Sequence, residues 1–537
     1  MRKVSLSTPN EIRPALVDSL LQEQRSLTAA DEFSAIVESG RADRMKDRYR
    51  SLLPLSQPSP GEQYAFEVDL DRCSGCKACV AACHSLNGLE EDETWRRVGL
   101  LVGGDWRDPL QATVTTACHH CVDPACANGC PVLAYEKDES TGIVRHLDDQ
   151  CIGCQYCVMM CPYEVPQYRP SRGIVRKCDM CHGRLAVGEA PACAQACPTA
   201  AIKITLRRQE EVVADFRNGA STGAKEDPLA RNLFLPSSPD PAISLPTTRY
   251  VTKNPQVAAL GAADAAEAHP GASHAPLAAL LILTQASVGV MLWQAVAGLV
   301  SHSPPGSGLT VLALALGVAG VLSGSIHLGQ PLKAWRAFLG WRKSWFSREV
   351  ILFGVYLNLA AASVLDSRLT VPAVLAGLGG VFCSAMIYVA TRRIAWSKTR
   401  VFSRFAGTTW QGFLLTGWAA TDSSSLVWLL ILTTFARLAL EMEIMKHEVD
   451  DESPRPSALA RTARLLSTRF GRWNRFRVAA AMIGGVVLPF SALAAGELPP
   501  HWSLAAAAVA LLAASELLER SLFFVTVSPP RMPGGVA

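Results

Sequence analysis

The first 60 residues contain no apolar run of the kind that leads a chain out of the cytoplasm. A secretory leader needs an apolar core of about 7–15 residues and a small-residue cleavage site, and MRKVSLSTPNEIRPALVDSLL has neither. No twin-arginine pair precedes an apolar stretch. The N-terminal half is therefore expected to stay in the cytoplasm. Charge is scarce as well. Asp, Glu, Lys and Arg make up 18% of the 537 residues and leave a net charge of +4, too little to argue for nucleic acid. Between Glu267 and Lys333 there is no charged residue of these four types. Cysteine is nearly missing outside one region: sixteen of the 17 lie between Cys73 and Cys197, and the other, Cys383, sits in an apolar run as an inert thiol. Disulfides are rare in the cytoplasm, so cysteines this dense read as metal ligands.

What is present divides the chain into four stretches. Residues 1–60 form a polar extension in which Leu16, Leu20, Leu21, Leu27, Phe33 and Ile36 recur at helical spacing, which predicts a helix or two. Such a segment either docks a partner or folds back on its own domain. Residues 64–206 hold all the cysteine motifs. Residues 207–272, rich in Ala, Pro, Ser and Asp, read as a covering strap and linker. Residues 273–528 are an anchor. Apolar runs occur there at about 276–300, 308–326, 349–365, 370–390, 405–421, 424–445, 478–496 and 502–526. Each approaches the roughly 20 residues a helix needs to cross a bilayer. Continuous apolar runs exclude a barrel, so eight helical spans are expected.

The loops fix an orientation. Lys333, Arg336, Arg342, Lys343 and Arg348 follow span two or open span three; Arg392, Arg393, Lys398, Arg400 and Arg404 follow span four. Arg455, Arg461, Arg464, Arg469, Arg472, Arg475 and Arg477 follow span six, whereas the loop after span three has only Arg368 and the remaining loops have no Lys or Arg. Basic loops lie on the cytoplasmic side, and the N-terminal domain shares that side. Trp335, Trp341 and Trp345 fit an interfacial belt.

Four cysteine groups can be read directly: Cys73, Cys76, Cys79 and Cys83; Cys118, Cys121, Cys126 and Cys130; Cys151, Cys154, Cys157 and Cys161; Cys178, Cys181, Cys193 and Cys197. The first and third have the ferredoxin spacing C-x2-C-x2-C-x3-C, and Pro131, Pro162 and Pro198 follow the last cysteine of their groups. Three thiolates on a tight loop hold three corners of a cluster. The fourth, carried into a helix, points to the other cluster of a two-cluster module. Zinc is the alternative for CxxC pairs, but a zinc site does not need the trailing x3-C-P. His119 and His120 lie inside a group that already has four cysteines, so they are read as packing behind the ligands or facing solvent.

FEVDLDRCSGCKACVAACHSLNGL, GGDW, HHCVDPAC, CIGCQYCVMMCPYEVPQY, KCDMC and the later TKNP resemble the iron–sulfur subunit of dimethyl sulfoxide reductase and related molybdopterin oxidoreductases, over about 140 residues. The resemblance implies that Cys73, Cys76, Cys79 and Cys197 hold one cluster, and Cys178, Cys181, Cys193 and Cys83 its neighbour. It likewise assigns Cys118, Cys121, Cys126 and Cys161 to a third, and Cys151, Cys154, Cys157 and Cys130 to a fourth. Relatives with Trp in place of one cysteine hold a three-iron cluster; all sixteen cysteines are present here, so four [4Fe–4S] clusters are expected. SIHLGQPLKAW, SWFSREV and SELLERSLFF resemble, more sparsely, the eight-span anchor subunit of the same enzymes. The two parts are usually separate chains, and their fusion leaves a molybdopterin-containing catalytic subunit as the implied partner. The fold expected is an α+β ferredoxin-like cluster domain of two duplicated double-cluster modules, followed by an all-α bundle of eight transmembrane helices.

His327, at the cytoplasmic end of span two, and Glu349, at the start of span three, match positions that the resemblance links to quinol binding. They are expected to form the quinone site and relay protons. The bland reading is that His327 caps a helix and Glu349 pairs with Arg348 or Arg342. Glu516 and Arg520 are four apart and are expected to form a structural pair. The histidines near the spans all lie at ends or in loops, so no haem is expected. The function that follows is electron transfer, without catalysis of its own, between a quinone and the molybdopterin subunit in the bacterial inner membrane, the cluster domain facing the cytoplasm. Reduction of a sulfoxide or N-oxide in anaerobic respiration, oxidation of sulfite or another sulfur compound, and a module of a larger ion-translocating respiratory complex remain open.

Overall fold

The computed structural model describes residues 38–39, 50–105, 107–217, 234–301, 307–421, 423–452, 456–495 and 501–534. The helical expectation for Leu16–Ile36 lies outside them. In the N-terminal half, every cysteine group shares one backbone event. The residue two places after the first cysteine is left-handed in all four: Gly75 (φ +72°), His120 (φ +41°), Gly153 (φ +67°) and Met180 (φ +59°). Glycine takes this conformation freely, whereas His and Met are held there by their surroundings. The turn folds each loop back so that its cysteines face one centre. The chain then enters a short helix: α1 (Ala78–Asn87), α2 (Ala125–Gly129), α3 (Tyr156–Met160) and α4 (His182–Ala186), with α5 (Ala192–Gln195) and α6 (Gln209–Arg217) following.

Small sheets frame these loops. β1 (Glu62–Asp69) pairs antiparallel with β8 (Ile202–Arg208) and parallel with β9 (Arg249–Val251). β2 (Arg97–Gly104) and β3 (Pro109–Thr116) form a hairpin, extended by β10 (Gly261–Ala262). β4 (Tyr135–Lys137) pairs with β5 (Val144–His146), and β6 (Gln167–Arg169) with β7 (Ile174–Arg176). The strap is thus built into the domain it covers, since it supplies β9 and β10, and Phe234, Tyr250, Val257 and Leu260 join Val68, Leu101 and Val114 in one core. Elements of two or three residues leave no apolar period to be seen in a sequence.

The C-terminal half is helical: α7 (Ala275–Ser301), α8 (Ser307–Ile326), α9 (Trp345–Ser363), α10 (Thr370–Val389), α11 (Lys398–Thr421), α12 (Ser424–Met442), α13 (Ala458–Ser467), α14 (Gly471–Met482), α15 (Leu488–Ala495) and α16 (His501–Val525). A π-helical turn, Ile483–Val487, joins α14 to α15. Among the described residues, five stretches are long and apolar enough to cross a membrane: Ala275–Val300, Ser307–Ile326, Ser367–Val389, Ser424–Glu448 and Gly471–Ala494. Small residues bring helices together, as lipid-embedded packing requires. A Cβ on Gly289 of α7 would collide with the Thr409 carbonyl oxygen of α11.

Charges are buried between α11, α12, α14 and α16, and their pairing differs from the expected Glu516–Arg520 contact. Glu516 pairs with Arg437 at 2.8 Å and accepts from the Thr408 hydroxyl at 2.6 Å. Arg520 pairs instead with Glu519, which also holds Arg404 at 2.7 Å. Arg477 pairs with Glu441. Spacing along one helix shows only partners on that helix; here Glu516 finds Arg437 on another.

Candidate functional site

No disulfide joins the 17 cysteines, and several thiols of different motifs stand close together. A cavity is lined by Cys118, Cys121, Cys126 and Cys161, with Lys177 and Ser244 on its wall. Burial pushes the Cys126 thiol up, and neighbouring Cys161, Cys118 and Cys121 push it further. Burial likewise raises Cys157, with Cys154, Cys130 and Cys151 adding to it. Cys83 is pushed up to about 12 by burial, then by Cys193 and Cys181. Cys79, raised by burial, has Cys193 and Cys73 as its thiol neighbours and shares a core with Cys197. Cys161 thus stands beside the thiols of the second motif, Cys130 beside those of the third and Cys83 beside those of the fourth, while Cys197 shares only the broader core around Cys79 and Cys193.

The donor chemistry fits an iron–sulfur cluster. Burial holds the thiols of Cys83, Cys126 and Cys157 against ionisation, and a bound cluster would relieve that by taking them as thiolates. Among the described residues, no three His, Cys, Asp or Glu side chains are drawn together closely enough to hold a single metal ion. Hydrogen bonds aimed at sulfur are already in place: Ala134 N–H to Cys130 Sγ at 3.2 Å, Ala201 N–H to Cys197 Sγ at 3.2 Å and Gly153 N–H to Cys151 Sγ at 3.4 Å.

His119 and His120, read as lying behind the ligands or facing solvent, are buried. His119 Nδ1 lies 2.9 Å from Thr248 Oγ1 and its ring meets Tyr163 edge-on at 4.5 Å. His120 Nδ1 accepts from the Val144 N–H at 3.1 Å. Burial lowers both, that of His119 to about 3, which keeps them neutral. Cys76 is exposed, so the tetrad of Cys73, Cys76, Cys79 and Cys197 reaches the surface.

The tetrad of Cys130, Cys151, Cys154 and Cys157 sits on the helical half. A Cβ on Gly153 would lie 2.9 Å from Gly329 Cα, and one on Gly340 would lie 2.6 Å from the Pro131 carbonyl oxygen. Gln330 N–H donates to Ile152 O at 3.0 Å and Gly340 N–H to Pro131 O at 2.7 Å. Ser344 Oγ donates to Gly129 O at 2.7 Å, and Tyr156 Oη to Ile387 O at 3.0 Å. Tyr156, Met159 and Met160 of α3 share one hydrophobic core with α7, α9 and α10.

His327 and Glu349 both adjoin this seam. His327 follows α8, two residues before Gly329, and its ring meets that of His274 edge-on at 5.1 Å. Glu349 of α9 is 5% exposed; Tyr156, Ser384 and Tyr388 are its polar neighbours. Its Oε1 and the His327 Nε2 are buried with no hydrogen-bond partner among the described residues. Arg348 does not hold Glu349, because its guanidinium donates to the carbonyls of Trp341 and Arg342 at 3.0 and 2.8 Å. Among the described residues His327 and Glu349 share no hydrogen bond. Sequence reasoning passed over His274 and Tyr156; the only signal for Tyr156 was its place inside the third motif.

Two family models match the protein. A 4Fe-4S dicluster domain matches residues 111–207, and the DMSO reductase anchor subunit (DmsC) matches residues 268–525. The probable anaerobic dimethyl sulfoxide reductase subunit YnfG of Escherichia coli (strain K12) is 40% identical over 180 residues, which is 32% of this chain and 84% of that protein. The B subunit of the anaerobic dimethyl sulfoxide reductase of the same organism is 40% identical over 148 residues, 26% of this chain and 72% of that protein. The thiosulfate reductase electron transfer subunit PhsB of Salmonella typhi is 38% identical over 159 residues, 28% of this chain and 79% of that protein.

Proposed function

Because the chain belongs to the dimethyl sulfoxide reductase family, as an iron–sulfur subunit fused to its anchor subunit, we propose that it carries electrons from a membrane quinol to a separate molybdopterin catalytic subunit through four [4Fe–4S] clusters. It transfers electrons and anchors in a membrane; it does not itself convert the terminal substrate. Reductase relatives favour the direction out of the quinol pool over sulfur-compound oxidation or ion translocation. The domains we assign are 1–60, 64–206, 207–272 and 273–528, the last crossing the membrane eight times with the cluster half on the cytoplasmic face.

The tetrads, taken with their crossed fourth cysteines, form two modules. Cys73, Cys76, Cys79 and Cys197 belong with Cys178, Cys181, Cys193 and Cys83. Cys118, Cys121, Cys126 and Cys161 belong with Cys151, Cys154, Cys157 and Cys130. Bound clusters supply one-electron steps at potentials of roughly −700 to +450 mV set by their surroundings. The observation that supports the reading is the seam, where Gly153 of the third cysteine motif packs against Gly329, two residues after His327 in the loop that leads to the helix bearing Glu349. A quinol bound there gives up two electrons and two protons. The electrons leave one at a time by the Cys151–Cys157 loop, and the protons pass to the His327 imidazole and the Glu349 carboxylate. The opposite end of the relay is the exposed Cys76, where the partner docks.

The test uses membranes holding the full chain and its partner. In Glu349→Gln and His327→Asn, quinol-driven reduction of the clusters is expected to fall by about 10²-fold or more, while dithionite still reduces them and iron content is unchanged. Unaltered quinol-linked turnover in both variants would remove the quinone site from these residues.

A further inference from the structure

Lys177 is 3% exposed and lies where the two modules meet. It follows β7 and immediately precedes Cys178. Its Nζ donates to the Val144 carbonyl and, at 2.9 Å, to the Cys178 carbonyl. The same Nζ stands 3.7 Å from Cys118 Sγ, and the side chain walls the cavity lined by Cys118, Cys121, Cys126 and Cys161. Cys118 belongs to one module and Cys178 to the other, and Cys118 adds to the rise that burial imposes on the Cys178 thiol. Among the described residues no carboxylate pairs with Lys177. Neighbouring Asp179 is engaged elsewhere, accepting from the Cys181 N–H at 2.9 Å and lying 2.8 Å from His182 Nδ1.

An ammonium buried without a counter-charge is costly by several kcal/mol. What surrounds the Lys177 ammonium is thiol: Cys118 Sγ at 3.7 Å, Cys121, Cys126 and Cys161 around the cavity it walls, and Cys178 next to it in the chain. The anions that balance it are therefore the sulfurs of the two facing tetrads. Reduction adds one negative charge to a cluster, and a fixed cation in a low-dielectric interior stabilises the reduced form over the oxidised one.

We infer that Lys177 is a tuning residue which raises the reduction potentials of the two clusters facing each other across the seam between modules, that of Cys118, Cys121, Cys126 and Cys161 and that of Cys178, Cys181, Cys193 and Cys83. The inference rests on the four-cluster reading above. It places the electron's crossing between modules at a point where both sides share one cation, so that neither cluster falls far below the other.

The experiment is a redox titration followed by electron paramagnetic resonance, on the full chain with its partner in membranes, comparing wild type with Lys177→Gln, Lys177→Met and Lys177→Arg. In the two neutral variants the midpoints of the two seam clusters are expected to drop by at least the equivalent of a tenfold change in oxidised-to-reduced ratio, about 59 mV for one electron. The other two midpoints stay put, and Lys177→Arg restores all four. If the neutral variants shed iron while Lys177→Arg retains it, the charge is needed to hold the pair, which also supports the assignment. Four unmoved midpoints in Lys177→Gln overturn it, as does iron loss in Lys177→Arg. Fewer than four cluster signals in the wild type would instead remove the four-cluster reading, whatever the variants do.

Discussion

Arg96, like Lys177, is a cation set into the interior of the cluster half, and it is 2% exposed. Its guanidinium lies over the Phe66 ring at 4.6 Å and donates to Thr115 Oγ1 at 3.2 Å. Burial works against its charge, and Cys193, Cys79, Cys178 and Cys83 work for it. It therefore stands among the thiols of the first module as Lys177 stands between modules. Arg96→Met leaves those sulfurs without their cation, and the expected cost is about 3 kcal/mol or more. Iron per chain should fall through loss of the first module, while the signals of the second persist. Arg96→Lys should recover only part, because the flat stack on Phe66 is lost with the guanidinium. Neither cation stands out in the sequence. Cysteine spacing reports ligands because a cluster dictates it, and His327 and Glu349 are singled out through the family resemblance. A lone Arg or Lys reads as surface until its burial is known.

Elements tell a similar story at a coarser grain. The apolar runs and the helices coincide, but the helices begin earlier: α9 at Trp345, α11 at Lys398 and α14 at Gly471. Apolarity marks the part that faces lipid, whereas the backbone stays helical into the headgroup layer, where Arg, Lys and Trp are at home. The charges between α11, α12, α14 and α16 are legible as residues and illegible as partners, since the contacts cross between helices. The loop after α8 carries a sharper test. A side chain at Gly329 would collide with the Gly173 carbonyl oxygen, backbone that does not yield easily. Gly329→Val is expected to lift the Cys151–Cys157 loop from the bundle. Quinol-driven reduction should then slow about tenfold or more, with dithionite reduction and helix content unchanged. A wild-type rate in that variant would mean that the seam does not carry the current.

At the scale of the molecule, the two halves are held by hydrogen bonds and shared core rather than by the linker alone. Lys333 Nζ and Arg336 Nη1 reach the Asp149 carbonyl at 3.1 and 2.8 Å, so a basic loop of the helical half also grips the cluster half. The loop-charge pattern predicts one geography. Protease added to intact spheroplasts should leave residues 64–206 uncut, and protease added to inverted vesicles should cleave them. The reverse result would place the relay outside the cell. Such docking is not legible in a sequence, because Gly153, Gly173 and Gly329 are unremarkable until they touch.

Past α16 the polypeptide turns back to the domain it began with. Leu100 N–H donates to Gly534 O at 2.9 Å, Arg531 pairs with Glu164 at 3.2 Å, and Gly534 N–H donates to Asp264 at 3.1 Å. These residues are synthesised after every helix of the bundle. The stretch of β2 around Leu100, next to its pairing with β10, is therefore completed by a late segment, and the same residues 531–534 help to wall the crevice beside Arg96. The cluster domain thus borrows part of its wall from residues that lie beyond the helical bundle in the sequence.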